Sequence, residues 1–72
     1  MKPSEKRLRR ALARNLRAER TEHGLTLEAA SELAGMHWRH WQKLEAGEVN
    51  ATLRTLARLG DALGTRPEQL LR

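Results

Sequence analysis

Glycines at 24, 35, 47 and 64 divide this 72-residue chain, and each stands just past a run with leucine or alanine at helical spacing. A glycine in that place takes the left-handed conformation that ends a helix. The chain is therefore expected to fold as short helices joined by tight turns. Leu8, Leu12 and Leu16 recur every four residues, on one face of a first helix that should end near Gly24. Thr26 is a good N-cap for a second helix, with Glu28 and Ala29 in its first turn. Gly35 stops that helix after about two turns. The third helix begins just after Met36, with His37 at its cap, and runs to Gly47. Thr52 caps a fourth, whose Leu53, Leu56, Leu59 and Leu63 point inward before Gly64 closes it. Pro67 starts a short fifth helix, and Glu68 in its first turn suits the helix dipole. Residues 1–7 read as a frayed basic tail and residues 8–72 as the domain. Many Leu and Ala, with no Phe or Tyr, favour helices over strands. The expected architecture is a compact all-α domain of five helices.

The net charge of +5 is unevenly placed. Residues 1–20 hold eight basic and two acidic side chains, whereas the remainder is one charge on the acidic side of neutral. Such asymmetry points to a polyanion, nucleic acid before a membrane surface. The bland alternative is a solubilising helix face. With no cysteine, no disulfide or thiolate metal site is possible, which fits a reducing cytoplasm. No signal peptide is visible, and no apolar run approaches the roughly 20 residues of a membrane span. Ser4 and Ser31 lack a plausible His/Asp arrangement, and the glycines are helix stops, not a phosphate loop. An enzyme is not expected, and neither is a cofactor.

Two short helices joined by a glycine-containing turn form a helix-turn-helix unit, here from Thr26 to Ala46 with its turn at Gly35-Met36-His37. In such a unit the second helix enters the DNA major groove and the first crosses the backbone. More specific are "GLT" at 24–26, "AG" at 34–35, "LEAGE" at 44–48, N-x-T-L-x-T-L from Asn50 to Leu56, and "ALG" at 62–64. In type and spacing these strings resemble the Cro/phage-repressor (Xre-type) helix-turn-helix family, over about residues 12 to 71. The resemblance implies a DNA-binding transcriptional regulator, often dimeric on a palindromic operator. The chain departs from the family at Leu27, where a phosphate-binding Gln is common. It also departs at Ala30 and Ala34, where Leu is common, and at Trp41, where Ile or Val is common.

The helix from Trp38 to Ala46 has two sides. Trp41, Leu44 and Glu45 share one face at i, i+3, i+4, leaving Arg39, Gln42 and Lys43 on the others. By resemblance, Arg39 and Lys43 match base-reading positions; arginine bonds guanine O6 and N7, and lysine reaches the same edge. Gln42 suits adenine or a phosphate. Trp38, at the leading end, either touches a thymine methyl or deoxyribose, or packs beside Met36 or Leu27. Phosphate contacts are expected from the backbone at Leu27, from His37 and His40, and from Asn50, the loop amides and Arg54. Protonating the two histidines would tighten binding in acid. His37 and His40 are spaced for a metal pair but have no third ligand, so no metal is expected. In the family the Glu of "LE.G" pairs with an arginine four residues before the glycine after the first helix. Here that is Glu45 with Arg20, a structural ion pair.

The leading reading is a sequence-specific double-stranded DNA-binding regulator, a cytoplasmic repressor acting as a homodimer through helices 4 and 5. Leu63, Leu70 and Leu71 are the candidate apolar seam. The alternative is an antitoxin-type module that neutralises a partner protein and autoregulates its operon. A basic RNA or membrane-surface binder is the third. The indole of Trp41 is expected to fill the volume that Ala30 and Ala34 leave. Trp41→Ala should then cost on the order of 3–5 kcal/mol, read as a large drop in thermal midpoint.

Overall fold

The computed structural model describes residues 2–72. Four α-helices and one 3-10 helix make up the fold: α1 (Pro3–Glu22), α2 (Leu27–Leu33), α3 (Trp38–Glu45), α4 (Leu53–Leu63) and the 3-10 helix (Pro67–Leu71). The expected fifth α-helix is thus a 3-10 helix. Its backbone bonds are of the i to i−3 kind, as in Gln69 N–H to the Arg66 carbonyl at 2.9 Å. Residues 3–7, expected as a frayed tail, belong to α1. Pro3 takes the first helical position, where its missing N–H costs nothing, and Glu5 lies in the first turn. At about 1.5 Å per residue, the 20 residues of α1 run nearly the full 32 Å long axis of the molecule. The other helices pack on this strut: α3 and the 3-10 helix lie directly against α1, α2 packs on α3, and α4 on the 3-10 helix.

Each α-helix starts and stops for a local reason. Thr26, His37 and Thr52 cap α2, α3 and α4 by accepting from the backbone N–H of Ala29, Arg39 and Thr55. Between α2 and α3, Gly35 has φ 66°, and the next amide, Met36 N–H, donates back to the Ser31 carbonyl at 3.0 Å. A side chain at that φ would be strained, so this sharp turn depends on glycine.

The core is mostly leucine: Leu12, Leu16, Leu44, Leu56, Leu59, Leu63 and Leu70, joined by Ala30, Ala34 and a fully buried Trp41. One leucine expected inside is not: Leu53, the first residue of α4, is 85% exposed. Leu8, on the face of Leu12 and Leu16, is partly exposed near the start of α1. Leu63, read both as inward-pointing on α4 and as part of a dimer seam, and Leu70, read as part of that seam, are buried in the chain's own core. They cannot form a seam without unpacking it. Asn15 fixes this corner: its side-chain amide donates to the carbonyls of Leu70 and Arg72 at 3.0 and 2.7 Å.

Gly60 is the one glycine buried inside a helix. A Cβ there would lie 2.7 Å from Pro67 Cγ and 2.9 Å from the Thr65 carbonyl oxygen. The 3-10 helix therefore docks on bare backbone. Gly60→Ala should destabilise the domain by about 1–3 kcal/mol despite the better helix propensity of alanine. Chemical denaturation checks this; an unchanged midpoint would show that the docking gives way freely.

Candidate nucleic-acid interface

The third helix is anchored from below by one carboxylate. The Glu45 side chain is 3% exposed and receives four donors. Arg20 grips it with two nitrogens, at 2.6 Å to one oxygen and 3.1 Å to the other. The Trp41 indole N–H donates at 2.6 Å, and Arg17 Nε reaches it at 3.4 Å from a more exposed position. Arg20 also donates to the Leu25 carbonyl at 2.9 Å. One guanidinium thus ties α1 to α3 and to the chain entering α2. A bidentate arginine–carboxylate pair has one geometry, so the contact fixes direction as well as distance.

Burial pushes the Glu45 carboxyl up. The hydrogen bonds from Arg20 and Trp41, the Arg20 charge and the Arg17 hydrogen bond outweigh it, holding the group below the ordinary carboxylate value. The same hydrogen bond raises Arg20 above its usual value, against desolvation that lowers it. The pairing of Arg20 with Glu45 could be proposed from sequence, by resemblance. The roles of Trp41 and Arg17 were not. Their signals were present: Trp41 and Glu45 are one turn apart on one face, and Arg17 stands three residues before Arg20. Trp41 therefore does more than fill volume.

With Trp41, Leu44 and Glu45 turned inward, the helical repeat turns Arg39, Gln42 and Lys43 outward, and all three are exposed. His40 flanks this row on one side and Trp38 on the other. Trp38 is 38% exposed. Its ring stacks on His37, with centroids 5.7 Å apart, and the Arg39 guanidinium carbon lies 5.4 Å from its centroid. Such a cation–π contact restrains the long arginine before any ligand arrives.

Two expected phosphate ligands are already engaged. His37 Nδ1 accepts from the Arg39 N–H at 3.1 Å, capping α3, so only Nε2 remains for a ligand. With Nδ1 used as the cap's acceptor, His37 can meet a phosphate only through an N–H at Nε2. Asn50 Oδ1 accepts from Arg9 Nε at 2.8 Å, a contact 41 residues apart with no sequence signal. Arg54 is exposed in the first turn of α4, and Leu27 opens α2 with its side chain packed against the core. No helix among the described residues is long and apolar enough to cross a membrane.

A helix locked on its inner face and lined outside by Arg, Gln and Lys, beside a second helix joined by a glycine turn, defines a helix-turn-helix protein. Residues 11–72 match the family model described as a helix-turn-helix domain. The chain belongs to this family, of the Xre type, and so to the DNA-binding transcription regulators. Over 64 residues it is 36% identical to control protein C.SmaI of Serratia marcescens, covering 89% of this chain and 76% of that one. It superposes on a hypothetical transcription factor, NHTF, from Neisseria with a TM-score of 0.88 at 30% identity, over 93% of this chain and 75% of that one. An HTH_3 family transcriptional regulator from Vibrio cholerae shares the fold, with a TM-score of 0.87 at 24% identity. The match covers 92% of this chain but only 37% of that regulator.

Glu45→Gln should cost about 3–5 kcal/mol, because an amide N–H would face the arginine and indole donors and leave Arg20 without its counter-charge. The pH dependence has a definite sign. A carboxyl held lower in the folded state gives stability that is complete above the unfolded value, near 4.5. That stability is lost as pH falls through the folded value. Thermal melts of wild type should therefore decline below about pH 4.5, and those of Glu45→Gln should decline less steeply.

Proposed function

We propose that the chain is a sequence-specific double-stranded DNA-binding repressor, cytoplasmic, that places α3 in the major groove. The observation that carries this is the two-sided character of α3. Its inner face is fixed by Glu45 and its outer face offers Arg39, Gln42 and Lys43 with no competing acid on that face. Arg39 reads a guanine through O6 and N7, Lys43 the same class of acceptor edge, and Gln42 an adenine. Trp38 holds Arg39 and offers its exposed ring edge to a thymine methyl. His40, Arg54, the Nε2 of His37, the Asn50 amide and the backbone at Leu27 hold phosphates, which set register without reading sequence. The exposed arginines of α1 add affinity that salt removes. The name of the Serratia relative, a control protein, fits a regulatory role.

One domain presents one recognition helix. Operator specificity therefore favours two copies on a palindrome, with half-sites about one DNA turn apart. With Leu63 and Leu70 in the core, α4 and the 3-10 helix still offer exposed Leu53 and half-buried Leu71 to a partner.

Selection from random duplex DNA should enrich a palindromic motif containing guanine, and sedimentation with that duplex should show two chains bound. Arg39→Ala should cost about 1–3 kcal/mol and relax preference at one base pair. Arg54→Ala should weaken all sequences alike and lower the salt slope by about one. Failure to enrich any motif from a folded protein would sink the proposal.

A further inference from the structure

Arg9 carries a charge that neither the core nor the proposed interface uses, and its donors reach three places. Nε donates to Asn50 Oδ1 at 2.8 Å, one terminal nitrogen to the Glu48 carbonyl at 3.1 Å, and the other to Glu5 Oε2 at 2.9 Å. The side chain is only 20% exposed and its charge is matched by Glu5, one turn away on α1. It is laid along the surface toward the α3–α4 loop and not held out to solvent.

The consequence falls on Asn50. A guanidinium only donates, so the atom facing Arg9 must be the amide oxygen. That leaves the amide NH2 as the free end of an exposed side chain. A phosphate oxygen only accepts, so the free end is the one that a DNA backbone can use. The second bond, to the Glu48 carbonyl, pins the loop's backbone to α1 at the same point. We infer that Arg9 is a positioning residue for DNA binding: it holds the α3–α4 loop on α1 and turns the Asn50 amide N–H outward, toward a phosphate that Arg9 itself does not touch. The inference rests on the reading of this loop as a phosphate clamp.

The test compares three full-length chains on the duplex enriched by wild type, at a temperature where circular dichroism shows each fully folded. Arg9→Ala should bind about tenfold more weakly, since the loop and amide must then be ordered on binding. Its slope of log affinity against log salt should match wild type, whereas loss of a direct phosphate contact lowers the slope by about one. Asn50→Asp separates positioning from folding. Its carboxylate still accepts from Arg9, so the thermal midpoint should hold or rise, yet it turns an acceptor toward the phosphate. Its affinity should fall by at least about tenfold.

Wild-type affinity in either folded variant would overturn the inference, as would a salt slope lowered by one in Arg9→Ala. A folded wild type that enriches no duplex would overturn the DNA-binding reading and the inference with it. An enriched duplex bound equally by Arg9→Ala would overturn the inference alone.

Discussion

Everything that faces outward on α3 depends on the buried carboxylate of Glu45. A single acid, nearly cut off from water, receives two nitrogens of Arg20, the Trp41 indole and the more distant Arg17. Isolated, such a charge would be costly to bury; with its lone pairs used by directed donors it becomes a joint of defined angle. The joint spans α1, α3 and the entry to α2, so it sets how far the helix-turn-helix unit tilts from the α1 strut. No buried polar side-chain atom among the described residues lacks a partner, so the joint is complete.

The molecule uses long basic side chains in two ways. Arg20 and Arg9 are spent internally, Arg20 on Glu45 of α3 and the chain entering α2, Arg9 on the α3–α4 loop. Arg39 and Lys43 on α3 and Arg54 in the first turn of α4 remain exposed. Counting positive charge would have merged these groups. Partner atoms and burial separate them, and of the two groups the second is free to meet an anion.

The core departs from a leucine-only plan in a consistent way. Ala30 of α2, Ala34 at its C-cap and Trp41 of α3 share one core cluster, and the polar edge of the indole finds Glu45. A tryptophan buried without a partner for its N–H would have been a liability. The choice of a large indole therefore belongs with the choice of a carboxylate one turn later. At the opposite end, Gly60 removes a side chain so that Pro67 can close the bundle.

Local chemistry is what the sequence by itself determined: the positions of the four turns, the Thr26, His37 and Thr52 caps, and the two-sided pattern of α3. These depend on neighbours within about one helical turn, so periodicity and capping rules reach them. The Arg20–Glu45 pairing was legible only through family resemblance. Tertiary structure alone decided that Leu8 and Leu53 lie outside the core and that Leu70 lies inside it. It also decided that Asn50 answers to Arg9. Each of these turns on which surfaces meet across tens of residues of chain. A leucine at a helix end has the same local pattern whether a neighbour covers it or not, and burial is settled only when the helices pack.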